Sequence, residues 1–107
     1  FFTGATASVR GGSGFAAFSS AKFALRSISQ SMARELGPQG IHVAHFIIDG
    51  AIDTAFIKEN FPDIYALKEK DGILQPNAIA DAYWFVHTQE KNAWTHELDL
   101  RPYMEKF

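Results

Sequence analysis

The chain has 107 residues, with 10 Lys and Arg against 12 Asp and Glu, four His and no Cys, for a net charge of −2 at pH 7. A hydrophobic share of 47% with 21% charged residues excludes a disordered or nucleic-acid-coating chain. Zero Cys excludes a disulfide framework, a thiolate zinc site and a Cys nucleophile. No apolar run approaches the ~18 residues of a membrane helix, and no basic stretch leads into an apolar run at the start, so no signal peptide is expected. Ten residues are Phe, and the chain opens on Phe1-Phe2-Thr3-Gly4 without an initiator Met, so a fragment is expected.

Phe1 to Thr3 reads as the tail of a buried strand, and the small, polar stretch from Gly4 to Gly14 as a loop. A helix is predicted over Phe15 to Leu36. Ala21, Leu25, Ile28, Met32 and Leu36 form its apolar stripe, Ser13 is the candidate N-cap, and Gly37-Pro38 the stop, with Gly37 left-handed. Ile41 to Ile48 is a near-continuous apolar run with two His, as a parallel strand covered on both faces requires. Asp49-Gly50 turns the chain. Thr54 to Gly72 reads as two short helices broken by Pro62, whose aromatics serve either a lid, a partner surface or plain packing. A helix over Pro76 to Gln89 follows, with Ile79, Ala82, Tyr83 and Val86 on its apolar face. Trp94 to Leu100 alternates like a strand, with Trp94, His96, Leu98 and Leu100 on one side. Strands separated by crossover helices imply a parallel α/β sheet. Three strands are few for such a sheet, which again suggests a missing N-terminal part.

Two nucleotide-like strings are weak. Gly12 to Ala17 matches G-x-G-x-x-A before a helix, but no clear acidic residue ends the next strand where a ribose ligand belongs, Asp49 lying too far along. Thr3 to Arg10 imitates T-G-x-x-x-G-x-G, but Ser8 and Arg10 stand where Gly must let a pyrophosphate approach the backbone. Phe18 and Lys22 are more informative. They are four apart and share a helix face. Lys22 lies among Phe18, Ala21, Phe23, Ala24 and Leu25, so it either snorkels to solvent or lines a cleft with partners. His42 and His45, three apart on a strand, point to opposite faces and cannot share a metal as neighbours. His87 and His96 are isolated, and no metal site is expected. Asp63, Glu69 and Asp71 read as solvated charges.

The stretch Gly14 to Leu25 (GFAAFSSAKFAL) resembles the active-site helix of the short-chain dehydrogenase/reductase family, whose motif is Y-x-x-x-K. Lys22 matches the motif Lys, and Phe18 stands where the Tyr belongs. Ala33 to Val43 resembles the family's helix end and next strand. Asp49 to Thr54 resembles its P-G-x-x-x-T turn, with Asp49 in place of Pro. The resemblance covers nearly the whole chain and implies the C-terminal half of a doubly wound, Rossmann-type parallel sheet. That half would hold three strands, the long active-site helix, a helical lid over residues 54–73 and a last helix, all within one NAD(P)-binding domain.

It also implies a chemistry. In this family hydride passes between a nicotinamide and an alcohol or carbonyl carbon. The Tyr hydroxyl transfers the proton, and the Lys lowers the pKa of that Tyr and binds the ribose. A Ser thirteen residues before the Tyr orients the substrate oxygen. Carried over, Lys22 binds the ribose of NAD or NADP, and Gly50, Ile52 and Thr54 line the nicotinamide and phosphate side. Phe18 has no hydroxyl, and the Ser position falls on Ala5. Thr6 or Ser8 substitutes only if the loop register shifts by one to three residues, and Ser19 points about 100° away from Phe18 on the helix. General acid catalysis contributes 10²–10⁴-fold, roughly 3–5 kcal/mol of barrier, so its loss cripples carbonyl reduction without abolishing cofactor binding. The implied protein is a cytoplasmic oxidoreductase acting on a small alcohol or carbonyl compound, without nucleic-acid or membrane partners, and dimeric or tetrameric through the active-site helix and the last helix and strand. The alternative is a catalytically silent cofactor-binding or assembly protein on the same scaffold.

Overall fold

The computed structural model describes residues 1–107. Strands β1 (Phe2–Ala5), β2 (His45–Ile48) and β3 (Glu97–Leu100) form a parallel sheet in the order β1-β2-β3. Helix α1 (Ala16–Leu36) crosses from β1 to β2. Helices α2 (Ala55–Asn60), α3 (Pro62–Tyr65) and α4 (Pro76–His87) lie between β2 and β3. Ala5 pairs with Ile48 and Ile48 with Leu100, so the three strands finish level at their carboxyl ends.

Every residue of β2 is buried because both sheet faces are covered, as its near-continuous apolar run requires. Alternation sends Phe46 and Ile48 toward α4, where they join Ala44, Leu74 and Val86 in the core, with Tyr83, Leu98 and Leu100 packed around it. His45 points the other way, toward α1. Its Nδ1 lies 3.0 Å from Glu97, and Glu97 also receives Arg26 of α1.

The long helix begins at Ala16 with Phe15 at the N-cap position and no side-chain cap, so Ser13 does not cap it. Gly37 stays right-handed with φ −53 and opens a short 3-10 turn with Pro38, and Gly40 takes the left-handed conformation with φ 81. The expected apolar stripe is not the buried face. The only buried residues of α1 are Ser19 and Ser29. Lys22, Arg26 and Ala33 share their side, roughly 100° around the helix from the stripe that runs from Ala21 to Leu36. The reason lies beneath the helix, where His45 and Glu97 offer the sheet surface hydrogen-bonding partners.

Other boundaries shift as well. β1 runs on to Ala5, and a 3-10 turn over Thr6–Ser8 occupies part of the expected loop. β2 starts at His45 rather than Ile41, and α4 ends at His87 rather than Gln89. β3 starts at Glu97 rather than Trp94, because the Trp94 ring stacks flat on His42 with centroids 4.5 Å apart. The short helices around Pro62 form as expected, and Phe56, Phe61 and Ile64 stay exposed on them rather than packing into the core.

Candidate active site

Open parallel sheets bind ligands outside the carboxyl ends of their strands, because loops and helix starts converge there on free backbone groups. In this chain that rim gathers Ala5, Thr6, Asp49, Gly50 and Arg101. The turn from Gly50 to Thr54 is built by two constraints. Gly50 has φ 149, and a Cβ there would stand 2.9 Å from Pro102 Cδ, so only Gly fits. Ile52 then bridges Leu74 in parallel fashion: Leu74 N–H donates to Ala51 O and Asp53 N–H donates to Leu74 O, both at 2.8 Å. That ladder leaves the N–H and C=O of Ile52 itself without a protein partner. A donor and an acceptor side by side match a primary carboxamide, so the turn fits the nicotinamide end of a dinucleotide. The Thr54 hydroxyl accepts the N–H of Ile57 at 3.3 Å, capping α2, and keeps its own hydrogen to donate.

Lys22 reaches β1 from α1, its Nζ donating to Thr3 O at 3.1 Å. Phe2 N–H bonds to Ala44 O, so the polar groups of Thr3 face the outer edge of the sheet, and the ammonium partly satisfies that edge. Two further N–H donors of Lys22 remain free. Phe18 is half exposed, its ring centroid 5.8 Å from Lys22 Nζ. Phe18 and Lys22, the pair expected from the sequence, are thus brought together, with no hydroxyl on residue 18. Ala5 ends β1, and its N–H donates to Ser8 Oγ at 3.0 Å. Ser8 is fully buried, whereas Thr6 keeps part of its surface. Ser19 is also buried and donates to Ala7 O at 3.1 Å, which pins the turn to α1.

Three partnerships escape the sequence reading. Thr6 Oγ1 donates to Asp49 Oδ1 at 2.5 Å, and Arg101 Nε donates to Asp49 Oδ2 at 3.1 Å. Burial pushes the Asp49 carboxyl up, but the Thr6 hydroxyl and the Arg101 guanidinium outweigh it and hold it below the ordinary carboxylate range. No local signal marks this pair: only the register that sets Ile48 beside Leu100 makes residues 49 and 101 neighbours. The second partnership is Arg26 with Glu97 and His45. Arg26 grips Glu97 through two bonds of 2.9 and 2.7 Å and holds its carboxyl low against the opposing effect of burial. Glu97 accepts from His45 Nδ1, which leaves His45 Nε2 buried and unpartnered. The third is Lys68 with Asp53, 2.7 Å apart, which ties the segment after α3 to the Gly50–Thr54 turn and lowers the Asp53 carboxyl. Asp63, Glu69 and Asp71 are exposed.

Residues 1–64 match the family model described as short chain dehydrogenase, more than half of the chain, and the chain belongs to that family. A short-chain dehydrogenase from Rhodopseudomonas palustris is 52% identical over 96% of this chain and 37% of its own, with a TM-score of 0.69. The closed form of serine dehydrogenase complexed with NADP+ superposes with a TM-score of 0.78 over 98% of this chain and 44% of its own, and at 21% identity it shows the shared fold. The chain therefore spans less than half the length of either solved relative. No curated protein matches it.

Proposed function

We propose that the chain is the C-terminal, nicotinamide-side part of one NAD(P)-binding domain, and that its parent is an oxidoreductase acting on a small alcohol or carbonyl compound. The observation that carries this reading is the free N–H and C=O of Ile52, presented at the carboxyl rim of a parallel sheet. Ile52 would hold the carboxamide, Lys22 the ribose hydroxyls, and Thr54 with Gly50 the phosphate side. The cofactor, when bound, supplies the hydride donor or acceptor. An NADP+ complex of a protein sharing this fold is consistent with either dinucleotide. The open outer edge of β1 supports the domain assignment. Beside it lies an apolar groove of about 570 Å³ lined by Phe1, Ile79, Tyr83 and Trp84, where the preceding part of the domain would pack.

Residues 54–73 form the substrate lid in this reading, with exposed Phe56 and Phe61 as its apolar surface. The exposed apolar side of α1, with α4 and β3, serves a dimer or tetramer interface, and the setting is cytoplasmic. Light scattering of the parent tests the assembly: a monomer overturns it. Titration of the parent with NAD+ and NADP+, followed by nicotinamide absorbance over an alcohol and carbonyl panel, tests the function. Binding with turnover is the expected result, and absence of binding overturns it.

A second reading, a silent cofactor-binding or assembly protein, is favoured by one observation: neither Phe18 nor Ala5 carries a hydroxyl. Turnover that appears only in Phe18→Tyr supports it, and turnover by the native parent removes it.

A further inference from the structure

We propose that Met104 is a modification site for hydroperoxides, and that its sulfoxide loosens the neck through which residues 51–74 leave and rejoin the sheet. This goes beyond the proposed function and does not depend on it. The two sides of the neck meet at one parallel bridge, Ile52 with Leu74. Leu74 N–H donates to Ala51 O and Asp53 N–H donates to Leu74 O, both at 2.8 Å. The Lys68–Asp53 ion pair adds little to these bonds, because Lys68 is well exposed to water.

The turn from Pro102 to Glu105 lies across this neck, closed by Glu105 N–H donating to Pro102 O at 3.0 Å. Buried Pro102 covers the departing side, where its Cδ leaves no room for a Cβ on Gly50. Met104 covers the returning side. A Cβ on Gly72 would stand 3.2 Å from Met104 Sδ and 2.8 Å from Leu67 Cβ. Gly72 follows Asp71, which takes the left-handed conformation with φ 55, and its N–H donates to Leu67 O at 2.9 Å. One turn therefore touches both sides of the neck, and its contact with the second side is a thioether sulfur.

A thioether is apolar, flexible and polarisable, which suits an irregular gap beside a glycine and a leucine. It is also open to oxidation, and the chain has no Cys to compete for the oxidant. Met104 is 42% exposed, so a hydroperoxide reaches it from solvent. The sulfur lone pair attacks one peroxide oxygen, an S–O bond forms as the O–O bond breaks, and the other oxygen leaves with the peroxide's protons as water. Sulfur is oxidised and the peroxide is reduced. The new oxygen is a strong acceptor beside Gly72, whose own N–H is already given to Leu67 O. Holding it there costs its hydration, so the side chain lifts toward water and uncovers the returning strand of the neck.

The test exposes the parent to hydrogen peroxide. Peptide mass mapping follows oxygen uptake at Met104 and at Met32, which is half-buried in α1. Amide hydrogen exchange follows Gly72, Leu74 and Asp53, with the His45 amide of β2 as reference. Met104 is expected to gain oxygen before Met32. Exchange at the neck amides is expected to rise by about threefold to tenfold, the cost of one poorly paired polar group. His45 should stay within about twofold of its starting rate. Methionine sulfoxide reductases should restore the original exchange. Met104→Leu keeps an apolar contact and should be indifferent to peroxide, and Met104→Gln should show the faster exchange without it. Oxygen uptake at Met32 first overturns the proposal. So does neck exchange within about twofold of the untreated rate once Met104 is fully oxidised, or an equal rise in peroxide-treated Met104→Leu. If Met104→Gln does not fold, the comparison with Met104→Leu decides alone. Titration of the untreated parent with NAD+ and NADP+ tests the proposed function separately, so either reading fails without the other.

Discussion

The two faces of the sheet are built from opposite materials. Toward α4 the interface is apolar: Phe46 is fully buried and stacks on Tyr83 with ring centroids 3.6 Å apart, and Val86 is fully buried beside them. Toward α1 the buried groups other than Ile47 are mainly polar: His45, Ser19 and Ser29, with Glu97 holding two neighbours at once. Apolar burial stabilises in proportion to area and tolerates small shifts. A bidentate Arg26–Glu97 pair tolerates none, because two parallel N–H···O bonds fix both distance and rotation. Arg26 is one turn beyond Lys22, so its grip on β3 sets the angle at which Lys22 meets β1. The desolvation of such a pair cancels much of its attraction. The α4 face accordingly supplies most of the stability, and the α1 face supplies placement.

The largest effect is therefore expected on the α4 face. Phe46→Ala removes a fully buried ring and should cost about 3–5 kcal/mol in urea unfolding of the parent. Glu97→Gln should cost about 2 kcal/mol, below the cost of breaking a fully buried pair, because both partners keep some exposure. Its signature is elsewhere: by loosening α1 it should weaken dinucleotide binding several-fold while the core persists. The comparison breaks if Glu97→Gln costs more than Phe46→Ala, or leaves dinucleotide affinity unchanged.

Acid sharpens the same contrast. Glu97 and Asp49 are both held below their ordinary values of 4.5 and 3.8. A depressed carboxyl contributes stability that is fully present above its unfolded value and is lost as pH falls through the folded one. The native parent should lose stability faster than Glu97→Gln as pH drops below about 4.5, so the gap between them narrows. A gap that is constant from pH 7 to pH 3 would show that the Glu97 charge contributes nothing.

How much of this was legible depends on the range of the interaction. The three strands, the long helix and the short helices around Pro62 follow from local periodicity and from Gly and Pro punctuation, and the Phe18–Lys22 pair follows from helix spacing. The face that α1 buries was not legible, because the strongest apolar periodicity lies roughly 100° around the helix from it. Ser19, Arg26 and Ser29 make a poor hydrophobic signal, and the partner that fixes Arg26, Glu97, is 71 residues away. Thr6 appeared only as a substitute for a missing Ser. Its tie to Asp49, 43 residues on, requires the parallel register that brings residues 5 and 48 side by side.

The smallest expected effect probes the apolar stripe itself. Ile28 sits in its middle and is 50% exposed. A half-exposed side chain on an uncovered helix face contributes little, and Ile28→Gln also exchanges a β-branched residue for a better helix former. On an open face the substitution should change stability by less than about 0.5 kcal/mol. On a face covered by a second subunit it should lower the association constant of the parent while leaving the unfolding free energy of the dissociated chain unchanged. Sedimentation at several concentrations, run beside urea unfolding, separates the two. A loss of more than about 1 kcal/mol in the dissociated chain would mean that Ile28 is packed internally, and that the buried face of α1 is wider than the polar strip from Ser19 to Ala33.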